Sequence, residues 1–425
     1  MQQLPAIQED AVAWRACEAW EDTDLRRVQC YWIFIKMRGY VGTEAGPAWA
    51  MQKHRALITA GLGDQRAPGD SKRGLDHLLP PGLGRQQHMT SAARIPSPFG
   101  QHFPMDDDLH FAAELMIVFG PFARAWRARQ QQAFQRILRA LDPIRDALVK
   151  LRSDTSKAVA AARDIAGIAF LTAVLRWPDR TQAEGYLYGF KVFGEIENSR
   201  IFRAVQPPSL HGSFFGQPAV DAVFDAVNAP PPKEAAEIWK QTQEEVEKGF
   251  TEPLVTAEDL NRRFGFGKWR PIHRFIVRQS DGKARLIDDG KRGGQNQWAT
   301  LEETIYTIGI DTVPAMIKML IDKTAKLYDG MGLPEWFHLQ LGTDDLPDAF
   351  RGCPINPAQQ SAAVVAVWSP QKHQWMFGVM KGCPYGLGSV VVTFNRYPTL
   401  ITACLRRVLG LMAAAYFDDN ILLDV

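Results

Sequence analysis

The chain has 425 residues, 46% hydrophobic and 23% charged, with a formal net charge of +2. This is ordinary for a soluble globular protein of two or three domains, and the near-neutral total carries no global signal for nucleic acid. The N-terminus has no apolar signal segment, and the most apolar stretch, 158–175, contains Arg163 and Asp164, so the composition argues against membrane insertion.

In chain order, residues 1–60 predict short helices packed through Trp14, Trp20, Trp32 and Phe34, and 61–105 reads as a Gly/Pro-rich linker. Residues 106–229 predict a helical domain. No catalytic motif is found in residues 1–230, and His54, His77, His88, His102 and His110 of that region lack ligand spacing. The doubled acids Asp106-Asp107-Asp108 and Asp288-Asp289 read singly as solvated turns. Arg124, Arg127, Arg129, Arg136, Arg139, Arg145, Lys150 and Arg152 read as the solvated face of one amphipathic helix. Residues 230–250 form a linker, Pro230-Pro231-Pro232, and a helix from Lys233 to Lys248 that ends at Gly249. Thr256-Ala257-Glu258-Asp259 predicts a capping box that opens a helix to Phe264, closed by Gly265.

Residues 251–425 predict a strand-rich unit. Arg274–Arg278 and Arg285–Asp289 flank the turn Ser280-Asp281-Gly282-Lys283. Trp336–Leu341 reads as a strand leading to Asp344-Asp345. Ala362–Trp368 and Gln374–Met380 form a hairpin, and Ser389–Leu409 a helix broken near Pro398 and stopped by Gly410. Met412–Phe417 and Ile421–Val425 form a last hairpin with Asp418-Asp419 at its tip. Carboxylates from two strand ends are what a two-metal phosphoryl-transfer site requires. The five cysteines, Cys17, Cys30, Cys353, Cys383 and Cys404, lack metal-ligand spacing and read as reduced thiols of an intracellular protein.

Read in order, Arg278, Arg285, Asp345-Leu346-Pro347-Asp348-Ala349-Phe350, Pro384-Tyr385-Gly386 and Tyr416-Phe417-Asp418-Asp419 resemble the motifs of a retroelement reverse transcriptase. The resemblance runs from about Lys248 to Val425. It implies an α+β fold: a polymerase palm with an antiparallel sheet, and fingers, preceded by a mainly helical N-terminal region. By the same resemblance Asp345, Asp418 and Asp419 are catalytic. Together with the Leu346 carbonyl they would hold two Mg²⁺ ions, with Mn²⁺ as the alternative. Arg278, Arg285, Asp348, Phe350, Tyr385 and Gly386 would line the nucleotide site, Phe350 lying under the sugar and excluding a 2′-hydroxyl. Implied partners are an RNA or DNA template with primer and deoxynucleoside triphosphates. The sequence ends six residues after Asp419, so the family's thumb is expected to be missing. Asp344 departs from the family pattern, and its extra charge is expected to raise a neighbour's pKa or add a metal contact. Cys383 and Tyr385 also depart from the commoner residues of their turn.

Between Arg262 and Arg292 lie ten Lys/Arg and three acids, interleaved with Phe264, Phe266, Trp269 and Phe275. Basic groups neutralise phosphates and aromatic faces stack on bases, so Arg262, Arg263, Lys268 and Arg270 are candidate nucleic-acid contacts. Two alternatives stand beside RNA-directed DNA synthesis: a non-catalytic nucleic-acid-binding remnant, and an RNA-directed RNA polymerase, against which Phe350 argues.

Overall fold

The computed structural model describes residues 106–425 apart from 208–211, 280–281, 306, 310–311 and 329–332. The readings for 1–60 and 61–105, four of the five histidines, Cys17 and Cys30 lie outside the described residues.

The described chain is mixed α+β and begins with a helical region. Its helices are α1 (Asp107–Phe119), α2 (Ala123–Ala140), α3 (Asp142–Leu151), α4 (Asp154–Val159), α5 (Ile165–Val174) and α6 (Gln182–Tyr188). Asp106 is not a plain solvated residue: its carboxylate accepts from the Leu109 N–H at 2.8 Å and caps α1. The arginine run splits over two helices, because Leu141 ends α2 and Pro143 opens the first turn of α3. Arg152 leaves that run altogether: it is buried and donates to the carbonyls of Ala160 and Arg163.

Two short strands, β1 (Gly194–Glu195) and β2 (Arg203–Ala204), precede α7 (Gln217–Asn228), α8 (Ala235–Glu247) and α9 (Ala257–Phe264). The expected capping box is present, with Thr256 and Asp259 exchanging side-chain and backbone hydrogen bonds, and Gly265 closes α9. Then follow β3 (Pro271–Arg278), β4 (Ala284–Asp289), β5 (Ala299–Thr300), β6 (Glu303–Thr304), α10 (Thr312–Leu327) and β7 (Gln340–Asp345). The chain ends with β8 (Val364–Ser369), β9 (Gln374–Val379), α11 (Gly388–Leu409), β10 (Met412–Tyr416) and β11 (Asp419–Asp424).

Two sheets carry the candidate site. One has the order β4-β3-β8-β9, antiparallel except for the parallel β3–β8 pair, and the other is antiparallel with the order β10-β11-β7. Strand β8 is apolar from Val364 to Trp368 and buried on both faces, as expected of a central strand. The strand before the first acid cluster lies later than the alternation suggested: 336–339 is outside it and β7 includes Asp344 and Asp345.

Helix α11 runs unbroken through Pro398. The proline removes one N–H from the ladder, and the neighbouring Thr399 hydroxyl donates to the Asn395 carbonyl at 2.6 Å. Gly410, at φ +56°, ends the helix in the left-handed conformation.

The main core joins Phe111, Leu115 and Trp126 of the helical region to Ile272, Leu286, Val365, Phe394 and Leu400. A second cluster packs Leu109 and Met116 of α1 and Met316 and Leu320 of α10 onto Met412 and Leu423. The helical region and the strand-rich unit therefore share cores, which the expected boundary at residue 229 did not convey. Among the described residues no helix is long and apolar enough to cross a membrane.

Candidate active site

The two acid clusters meet. Strand β7 pairs antiparallel with β11 so that Asp345 lies opposite Asp419, and the Leu346 N–H donates to the Asp418 carbonyl at 3.0 Å. Directly opposed residues present their side chains on one face, so Asp345 and Asp419 share a face. Asp344 pairs with Asn420 and belongs to the other face. The expected influence of Asp344 on the metal face is therefore not favoured by the register.

Asp418 sits in the two-residue turn between Tyr416 and Asp419. Its neighbour Phe417 has φ +55°, a conformation costly for a bulky residue. The ring packs beside Tyr416, centroids 5.0 Å apart, and against the main core, which holds the turn in place.

Partial burial raises the Asp418 pKa above the ordinary carboxylate range, and the nearby charges of Asp419 and Asp345 add to the rise while Arg285 opposes it. The mutual repulsion and the all-oxygen donor set suit a hard divalent cation. Asp345, Asp418, Asp419 and the Leu346 carbonyl would hold it. Among the described residues no group of three or more His, Cys, Asp or Glu forms a ready-made metal cluster. A raised folded-state pKa contributes stability at pH below the unfolded value of about 3.8 and loses it as pH rises through the folded value. At neutral pH without divalent cation, Asp418→Asn should therefore raise the melting temperature. Added Mg²⁺ should then stabilise the wild type more than the variant. Equal Mg²⁺ shifts in both proteins would remove Asp418 from the cation site.

The basic contacts separate by register. Arg285 lies opposite Val277, and Arg278 opposite Ala284, so the two arginines belong to opposite faces of the β3–β4 hairpin. Arg285 shares its face with the exposed Phe275 and Val277 and is close enough to influence Asp418. Arg278 is exposed on the face that carries Arg274 and Asp288.

Phe350 lies within the short 3-10 turn Ala349–Gly352 and is half-buried. Its ring centroid lies 5.4 Å from Tyr385 and 5.0 Å from Phe394. It is thus both a core-edge aromatic and a wall beside the Tyr385 turn. Asp348 precedes it at φ +55°, exposed, with Lys248 at 3.4 Å. Such an exposed pair contributes little. Gly386, at φ +97°, is required by close approach: a Cβ there would lie 2.3 Å from the Asp288 carbonyl oxygen. Asn296 ties down the same turn, donating to the Gly386 carbonyl at 2.9 Å and accepting from the Gly388 N–H at 2.8 Å.

Beneath this turn lies a buried four-charge cluster that the sequence did not announce. Arg274 donates to Asp288 at 2.9 Å and to Glu245 at 2.7 Å, and Arg351 donates to the same two acids at 2.8 Å. Arg351 also donates to the Cys383 carbonyl, and Asp288 accepts from the Tyr385 N–H at 2.7 Å. Burial opposes ionisation of Glu245, but the two guanidiniums outweigh it and hold its pKa below the ordinary value. The cluster joins α8, the β3–β4 hairpin, the turn after Asp348 and the Tyr385 turn. Arg274 therefore leaves the basic stretch read as a nucleic-acid-contacting patch, and Asp288 is not the solvated turn residue expected. The available signal was parity: Arg274 alternates with Ile272 and Ile276, on the buried face of β3.

The rest of the basic stretch is mixed. Arg262 and Arg263 are exposed and pair with Asp259 and Glu252, and Lys268 is exposed. Arg270 is half-buried, its guanidinium 5.0 Å from the Phe214 ring centroid, and burial lowers its pKa. Trp269 is buried core, whereas Phe266 is 73% exposed and Phe275 42%. Only the last two offer stacking faces. Burial raises the pKa values of Cys353 to about 11 and Cys404 to about 12, and that of Cys383 well above the ordinary thiol range, so these remain thiols.

No protein-family model matches the chain, and no curated protein matches it.

Proposed function

We propose that the chain is an RNA-directed DNA polymerase of retroelement type, with residues 251–425 acting as fingers and palm. The observation that carries this reading is the pairing of Asp345 with Asp419 beside the Asp418 turn, with Arg285 close enough to offset the repulsion at Asp418. In the reaction a primer 3′-hydroxyl oxygen forms a bond to the α-phosphorus of a deoxynucleoside triphosphate. The bond from that phosphorus to the bridging oxygen breaks, and pyrophosphate leaves. Bound Mg²⁺, with Mn²⁺ as the alternative, supplies activation of the hydroxyl and charge neutralisation at the leaving group. The carboxylates of Asp345, Asp418 and Asp419 hold that charge in place. Arg285 orients the triphosphate. Phe350 and Tyr385, kept in position by Asn296 and the buried charge cluster, form the floor beneath the sugar.

The test is primer extension by the full chain on an RNA template with Mg²⁺ and deoxynucleotides. Binding of primer-template without any extension would replace this reading with that of a non-catalytic binding remnant. Preferential extension with ribonucleotides would replace it with an RNA polymerase.

Sugar choice gives a further expectation. Phe350→Ala removes the ring beside Tyr385 and should lower the preference for deoxynucleotides over ribonucleotides by about 10-fold or more. This corresponds to about 1.4 kcal/mol of discrimination. Single-nucleotide incorporation kinetics with both sugars would measure it. An unchanged ratio would leave Phe350 with packing alone.

A further inference from the structure

Helix α2 carries Arg124, Arg127, Arg129, Arg136 and Arg139 and contains no acid between Ala123 and Ala140. Arg127 is engaged by Asp424 at the end of β11. Arg124, Arg136 and Arg139 are exposed. At about 100° per residue they fall within an arc of about 120°, on the side away from the buried Trp126, Ala133 and Ile137. Arg124 and Arg139 are separated by about 22 Å of helix, the length of about six base pairs.

We propose that this arginine arc is a docking surface for the backbone of double-stranded nucleic acid. The inference goes beyond the polymerase reading and does not depend on catalysis. The chemistry of the arc selects the partner. Within α2 its exposed positions are Arg, Gln and Ala, a set that contacts phosphates, and the exposed Phe122 just before the helix is a single ring that gives no run of stacking faces for unpaired bases. The apolar stripe of α2 is already buried in the protein, so the helix has no apolar face to sink into a bilayer. The nearest acid in sequence, Asp142, is paired with Arg145.

The experiment measures binding of the full chain to a fluorescently labelled RNA–DNA hybrid across a salt series. It compares wild type with Arg124→Gln/Arg136→Gln/Arg139→Gln and with the corresponding triple Lys variant. The Gln variant should bind about 10-fold or more weakly at moderate salt, and the slope of log K against log salt should fall by about 2–3. The Lys variant, which keeps the charges, should retain the wild-type slope. An unchanged slope in the Gln variant overturns the proposal. So does an equal loss in the Lys variant, which would make the arginines structural. Phosphatidylserine vesicles form the last arm. If the Gln variant loses vesicle binding while hybrid binding is unchanged, the surface belongs to a membrane and the proposal fails.

Discussion

Asp288→Ala is expected to destabilise the chain by about 3–5 kcal/mol, the usual cost of removing one partner from a buried ion cluster. The carboxylate is fully buried and is shared by Arg274, Arg351 and the Tyr385 N–H. Its loss leaves two guanidiniums with Glu245 alone. Urea unfolding followed by circular dichroism measures the change, and a loss below about 1 kcal/mol would mean that water or a rearranged partner replaces the carboxylate. Acid should act in the same direction. Glu245 has a lowered folded-state pKa, so its contribution is present above the unfolded value of about 4.5 and is lost as pH falls through the folded one.

Asp345→Asn and Asp418→Asn should each reduce primer extension by about 1,000-fold or more, corresponding to a barrier increase of about 4 kcal/mol. Primer-template affinity should change only a few-fold, because both side chains lie at the strand ends and not on the basic surfaces. Single-turnover extension alongside duplex binding separates the two effects. Residual extension within 10-fold of wild type in either variant would remove that residue from the chemistry.

The strands around the site other than β7 were legible because their sequences alternate or run apolar between turn residues, whereas the alternation at 336–341 placed β7 four residues too early. The final hairpin and the β8–β9 hairpin lie within one or two residues of the sequence expectation. The capping box at Thr256 and the Gly410 stop were equally readable, since each depends on local chemistry. The buried charge cluster was not readable, because its members come from α8, β3, β4 and the turn after Asp348. Nothing local to Glu245 or Arg351 marks them as partners across 106 residues. The opposite faces of Arg278 and Arg285 were hidden for a related reason: spacing along the chain does not fix hairpin register when the turn length is unknown.

The links from α1 and α2 to the last strands impose an order on biosynthesis. Asp106 bonds Arg406 across 300 residues, Asp108 bonds Arg407 across 299, and Arg127 bonds Asp424 across 297. Closing loops of that length is slow compared with forming local helices. On the ribosome, Leu109 and Met116 of α1 emerge about 300 residues before Met412 and Leu423, which cover them. Until then that side of α1 lacks its native cover, while Phe111, Leu115 and Phe119 can already pack with Trp126, and nascent chains with uncovered apolar surface are prone to aggregate. The aspartate hairpin can thus close against α1 and α2 only after about 300 further residues have been made, and a chaperone that shields α1 would favour its correct closure.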